Sequence, residues 1–284
     1  MKIGIVGDAK RAVAWEQHIR PHHIVREVQL CAHLHELEDI DACFLLNDSP
    51  YNLAQLLSSV KHGYHSFLIS RMPTDASLLE KIYRASMEAG VQVLFSNWPV
   101  LAPATQFMMD RMHRPSLINI SRHLQYTQFS NAEQEFRHYW IEELALCLKW
   151  MDSGIHHSEV KRVEMADNVP SFIQIFLRFD NGSAADIHLY TGAQANHHQR
   201  IATNKHEILE CDVPNQHIRI GQLNSGNHLF FNKQTFDPAK AAEKAALIFL
   251  KSVQMNRESP YTAYDAYQLS LQINKLENRL SQFR

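Results

Sequence analysis

Residues 4–13 read GIVGDAKRAV. An apolar run, a glycine and a helix-forming stretch follow one another here, the order in which a parallel-sheet domain sets a phosphate-binding turn. Such a turn takes G-x-G-x-x-G, because the backbone must approach a diphosphate and the helix must lie close to the strand. Gly7 keeps the first position, and Ala9 and Ala12 take the second and third. Alanine is harmless at the third. At the second, the Ala9 methyl group falls where the diphosphate would rest unless the loop shifts. Lys10 and Arg11 offer positive charge to phosphate. Two readings follow: Gly7, Asp8, Ala9 and Lys10 bind a cofactor, or they form a plain strand-to-helix turn.

The chain is rich in histidine, with 18. The pairs His22-His23, His156-His157 and His197-His198, and His33-x-His35, invite a metal reading. Neighbouring residues point to different faces of a strand or helix and rarely share one ion. No His-x-x-x-His with a carboxylate falls on an expected helix, so no metal site is expected. No Gly-x-Ser-x-Gly elbow, P-loop or His-Glu-x-x-His occurs. The stretch His123 to Phe136 either lines a ligand cleft or forms a strand face and a helix start. Tyr261, Tyr264 and Tyr267 fall at helical spacing and read as packing.

The elements that position these residues alternate at first. Lys2 to Val6 is an apolar strand, and Lys10 to Ile19 is a helix ended by Pro21. Ile24 to Leu30 alternates as a strand, and Leu34 to Asp39 is a turn or short helix. The continuous apolar run 41–47 marks a central parallel strand. Pro50 to His62 is a helix, Ser66 to Ser70 a strand, and Asp75 caps a helix running to Ala89 and Gly90. Val91 to Phe95 is a strand, Asn97 to Pro103 a loop, and Ala104 to Met112 a helix. Alternation to about residue 112 predicts a parallel sheet covered by helices.

Beyond that point the pattern changes. Ser116 to Phe129 is extended and Glu133 to Met151 is a long helix. Extended stretches follow at 160–167, 172–179, 183–190, 208–213 and 217–223, with a hairpin signal at Asp180-Asn181-Gly182. Helices at 238–254 and 263–282 close the chain. The fold class is therefore α/β: an N-terminal parallel sheet (1–112) and a C-terminal α+β domain (113–284) with an open, mostly antiparallel sheet.

The 284 residues suit one large or two modest domains. Lys and Arg number 28 against 30 Asp and Glu, a balance that argues against nucleic acid or an anionic membrane surface as partner. No run of about 18 apolar residues occurs, and MKIGIV enters a strand directly, so neither a membrane span nor a signal peptide is expected. Cys31, Cys43, Cys147 and Cys211 lack pairing or metal spacing and read as reduced thiols of a cytoplasmic protein.

The order and spacing of several stretches resemble the Gfo/Idh/MocA family of NAD(P)-dependent oxidoreductases, which act mainly on sugars and polyols. The stretches are IDACFLLNDSPYNLAQLLSSVKHGYH, LLEKIYRASMEAGVQVLFSN, LALCLKWMDSG, FIQIFLRFDNGSAADIHL, AAEKAALIFLKSV and SPYTAYDAYQLSLQINKL. The likeness covers nearly the whole chain. It implies a Rossmann domain, a second domain whose sheet often forms a dimer interface, NAD or NADP as cofactor, and a small sugar-like or polyol ligand.

The resemblance also assigns positions, and most of them have changed. The acid that binds the adenosine ribose has no well-placed counterpart among Glu27, Glu36 and Glu38, and the helix between the second and third strands is missing. The Thr-Pro-Asn loop is matched by Asn47-Asp48-Ser49, where Asp48 would bring negative charge toward phosphate. The Glu-Lys-Pro motif falls on Ile69-Ser70-Arg71 or Arg71-Met72-Pro73, with no lysine. Arg71 could hold an anion but titrates too high for acid–base work. The catalytic histidine is matched by Glu142, its following acid by Glu143, and a preceding glycine by Trp140. Glu142 is then either a proton carrier or an ordinary helix carboxylate. These losses predict a diverged oxidoreductase-like protein without the standard catalysis, acting in binding or regulation. The alternative is an active NAD(P)-dependent oxidoreductase rewired around Glu142, Arg71 and Ser70.

Overall fold

The computed structural model describes residues 1–46, 51–125, 132–165 and 169–282. The chain forms two compact units, Met1–Leu101 with Ala239–Leu271, and Ala102–Pro238 with Gln272–Arg284.

In the first unit, β1 (Lys2–Gly7), β2 (Glu27–Cys31), β3 (Ala42–Leu46), β4 (His65–Leu68) and β5 (Val93–Phe95) form a parallel sheet in the order β2-β1-β3-β4-β5. Every residue of β3 is buried, as its unbroken apolar run requires of a strand covered on both faces. Helices α1 (Ala9–Ile19), α2 (Asn52–Lys61) and α3 (Ala76–Ala89) link the strands. Asp75 caps α3 through Leu78 N–H, and Gly90 ends it in the left-handed conformation.

Between β2 and β3 there is only a 3-10 turn, Leu34–Glu36. In place of a helix, Leu37 and Ile40 fill the space over Gly4, where a Cβ would meet Leu37 at 2.7 Å. The stretch expected to be a loop after β5 holds a short helix, α4 (Trp98–Leu101), that tolerates Pro99 because its first turn needs no amide there.

The unit boundary falls at Leu101 rather than at residue 112, and α7 (Ala241–Gln254) belongs with the first unit. The reason is packing. Phe249 of α7 meets Phe44 and Phe67 of β3 and β4 with ring centroids 5.3 and 5.5 Å apart. Phe95 N–H of β5 donates to Tyr261 O, ahead of α8 (Ala263–Gln282).

The second unit holds α5 (Pro103–Arg111), β6 (Leu117–Gln125), α6 (Ala132–Met151), β7 (Ile155–Met165), β8 (Val169–Phe179), β9 (Ala184–Ala193), β10 (His197–Thr203), β11 (Glu207–Asp212), β12 (His217–Leu223) and β13 (Leu229–Thr235). The order is β13-β12-β11-β10-β6-β9-β8-β7, antiparallel except for the β6–β9 pair. β10 and β13 were not expected from the sequence. In β10 the buried face carries Arg200 where an apolar residue would signal a strand, and every residue of β13 is exposed, so alternation never shows.

Alternate residues of β8 and β9 are buried on the face that packs against α6. The register places Leu117, Val163, Tyr190, Leu223, Leu229 and Phe231, all exposed large apolar side chains, on the opposite face.

Candidate functional site

In the first unit, strand order reverses between β1 and β3, the switch point at which open α/β sheets hold ligands beyond their strand ends. Gly7 stands there with φ +143°, and an added Cβ would lie 2.7 Å from Leu46 O. The glycine therefore serves the close approach of β1 to β3.

Asp8 is the N-cap of α1. Its Oδ1 accepts from both Lys10 N–H and Arg11 N–H at 3.1 Å. These first-turn amides are the donors that a helix N-terminus offers to an anion. Here a carboxylate of the chain itself holds them, and it would repel a diphosphate. Ala9 and Lys10 are exposed on the same turn.

The end of β2 supplies no ribose acid. Cys31 closes that strand, and Glu36 accepts from Ala32 and His33 N–H at 3.0 and 3.2 Å, which holds its carboxyl below the usual range. The residues that would seat a dinucleotide thus do not fit its diphosphate and adenosine ribose in the usual way. Asn47 and Asp48 lie outside the described residues.

After β4, Ser70 is bound to its own surroundings. Its N–H donates to Ser96 Oγ at 3.0 Å, its carbonyl accepts from Ser96 Oγ at 2.8 Å, and its hydroxyl donates to Arg71 O at 3.0 Å. The Arg71 residue is exposed and Met72 is buried.

In the second unit, α6 carries a buried polar cluster. Glu143 is wholly buried and meets Arg200 of β10 in a two-pronged pair, Nε–Oε2 at 3.0 Å and Nη2–Oε1 at 2.9 Å. Arg200 Nη1 also donates to Thr105 Oγ1 at 2.8 Å. His198 Nε2 lies 3.0 Å from Glu143 Oε1. Burial by itself would raise the Glu143 carboxyl, but Arg200 and His198 hold it well below the usual range. Burial pushes His198 down, toward the neutral form, against the pull of Glu143. One turn along, burial raises the Cys147 thiol, which is inert.

Glu142 is also buried, so neither glutamate is an ordinary solvated helix carboxylate. Its Oε1 lies 3.2 Å from His138 Nε2, one helical turn earlier. Arg122 of β6 stands 3.7 Å from Glu142 and 3.6 Å from Glu143, with its guanidinium 3.8 Å over the Tyr139 ring. Trp140 is buried beside them, filling the position where the resemblance expects glycine.

Of the residues expected to act, the structure joins Glu142 to a cluster and leaves Gly7, Asp8 and Ala9 in a self-capped turn. Sequence reasoning missed Arg122, His138 and Arg200, and weighed His198 only within a histidine pair for metal. Only His138 carried a local signal, at i−4 from Glu142; the others come from strands distant in sequence. Among the described residues no group of three or more His, Cys, Asp or Glu is arranged to hold a metal.

Solved structures with this architecture exist. An NAD binding oxidoreductase from Klebsiella pneumoniae matches with TM-score 0.84 at 10% identity, over 100% of this chain and 97% of that one. UDP-N-acetylglucosamine 3-dehydrogenase from Acidithiobacillus ferrooxidans matches with TM-score 0.81 at 11% identity, over 97% and 96%. The chain shares the fold of these proteins, a parallel five-stranded sheet with helices and a mostly antiparallel eight-stranded sheet. A dehydrogenase from Clostridium difficile shares it, with TM-score 0.79 at 12% identity over 98% and 99%. No family model matches the sequence, and no curated protein does. Likeness at this identity carries the architecture and leaves the chemistry to the residues themselves.

Proposed function

We propose that this chain is a diverged oxidoreductase-fold protein that lacks the standard nicotinamide catalysis and acts in binding or regulation. The Asp8 carboxylate carries this reading, because it holds the two first-turn amides that a diphosphate would need. Titration with NADH and NADPH, by calorimetry and nicotinamide fluorescence, tests it. The reading expects no saturable binding below about millimolar cofactor, which is weaker than about −4 kcal/mol. Saturable micromolar binding overturns it.

One observation favours a second reading, a rewired active enzyme on a sugar or polyol. The His138–Glu142 contact makes an imidazole–carboxylate pair, a known way to carry a proton. Arg122, Tyr139 and this pair also offer mixed donors and acceptors to the hydroxyls of a small polyol. A redox substrate screen with Glu142→Gln and His138→Gln as controls separates the two readings. Turnover abolished by both variants would favour the second.

We also propose that the chain forms a homodimer through the exposed face of the eight-stranded sheet. Eight strands about 4.8 Å apart and about 23 Å long present roughly 780 Å² per copy, close to the area of a stable interface. The exposed apolar residues of that face give it a reason to be covered. Four free cysteines agree with a cytoplasmic setting, and no described helix is long and apolar enough to cross a membrane.

A further inference from the structure

β7 ends the order of the eight-stranded sheet, so one side of it meets β8 and the other meets no strand among the described residues. A groove of about 900 Å³ follows that free side, lined by residues 157–164 and by Arg279 and Leu280 of α8. Two hydrogen bonds show which way the backbone points. Val163 O accepts from Ser171 Oγ of β8 at 2.9 Å, so the odd-numbered carbonyls turn inward. Ser158 O accepts from Arg279, so the even-numbered ones turn to the groove. The register with β8 is unbroken from His157 to Val163, between irregularities at its two ends, and Val160 is the middle of that stretch. We propose that two copies of this chain pair antiparallel through β7 about Val160, so that the eight-stranded sheet continues from one copy into the next. Such a pair leaves the exposed sheet face open and does not depend on the dimer proposed above.

Charge selects this arrangement. Residues 157–163 read HSEVKRV. A twofold axis at Val160 sets Glu159 of each copy directly opposite Lys161 of the other, both exposed and on one face, where opposite charges attract across strands. Sliding the pair by two residues in one direction sets Glu159 against its own copy. Sliding it the other way sets Lys161 against its own copy. Either slide places like charges on the axis, and a slide by one residue sets side chains of opposite faces against each other. Charges on an edge strand usually keep it from pairing. Here they oppose the neighbouring registers and favour this one.

The backbone and the remaining side chains fit the same register. Ser158, Val160 and Arg162 turn their N–H and C=O groups outward, which gives about six hydrogen bonds between the copies. Ser158 O then accepts from Arg162 N–H of the second copy, while Arg279 keeps Ser158 Oγ, to which it donates at 2.7 Å. The Arg162 guanidinium is already held by Glu133 and Glu164 and brings no uncompensated charge. His157 falls opposite Val163, an apolar side chain 55% exposed in the single chain, and the pair covers it.

Seven residues span about 24 Å, a small interface beside the roughly 800 Å² per copy of a stable dimer, so the contact is weak and is best trapped. Val160→Cys traps it. In this register the two Cα atoms at 160 lie about 5.5 Å apart, within disulfide range. A sheet-face dimer does not join them, because Val160 points away from the face that carries Val163. The full chain at about 100 μM in oxidised glutathione is run beside the parent, which controls for the native cysteines. We expect Val160→Cys to form a linked dimer faster than the parent. Adding Glu159→Lys or Lys161→Glu should slow linkage at least about fivefold, since two attractive pairs become two repulsive ones, and adding both should restore it to within about twofold. No linkage above the parent overturns the proposal. Linkage that ignores the single reversals overturns it too, as does linkage that they slow and the charge swap does not restore. The sheet-face dimer stands or falls separately, on sedimentation of the parent chain.

Discussion

The Glu143–Arg200 pair offers the sharpest test of how the second unit is held together. Both side chains are buried, and Arg200 is 1% exposed. Replacing Arg200 with Met keeps most of the volume and removes the charge. Glu143 then keeps only His198, which burial holds toward neutrality, and Arg122 at 3.6 Å. Removing one partner of a buried pair costs about 3–5 kcal/mol, because the other charge is left without compensation. For a unit of this size that is a fall in Tm of roughly 6–20 °C. Glu143→Gln should cost less, since an amide still accepts from the guanidinium. The double variant Glu143→Gln/Arg200→Met should cost less than the two single losses added, because no bare charge remains.

Urea unfolding read by hydrogen exchange in α6 and β10 peptides isolates this unit. The pH course adds a second readout. A carboxyl held low in the folded state contributes stability that is present above its unfolded value, about pH 4.3, and lost as pH falls below it. The gap between parent and Glu143→Gln should therefore close under acid. An Arg200→Met loss below about 1 kcal/mol, or strict additivity in the double variant, would refute the reasoning.

The turn after β1 gives two more tests. Asp8→Ala should cost about 0.5–2 kcal/mol in urea unfolding through loss of the cap on α1, and Asp8→Asn much less. Gly7→Ala should cost at least about 2 kcal/mol, since φ +143° is strained for alanine and its Cβ would press on Leu46 O. A neutral Gly7→Ala would show that β1 and β3 can part at little cost. Trp140→Ala should cost about 3–5 kcal/mol through the cavity it leaves in the second unit; a loss under 1 kcal/mol would mean that the site collapses around it.

The sequence by itself determined the alternation of strands and helices in the first unit, because burial on both faces writes itself as unbroken apolar runs such as 42–46. It also determined the missing helix after β2, since 31–42 is too short to hold one, and the changed residues at each expected site. Asp8 was visible there, but only the backbone showed that its carboxylate takes the amides of Lys10 and Arg11. Tertiary structure alone decided the rest. Arg200 meets Glu143 from 57 residues away, and no local pattern announces a pairing between a helix and a strand so distant. The same holds for His123 and His197: the sequence placed one at the start of a strand or cleft stretch and the other in a histidine pair, and only the register set them side by side. Phe249 joins the first unit for the same reason: its apolar helix face is legible in the sequence, but which sheet it covers is decided by packing.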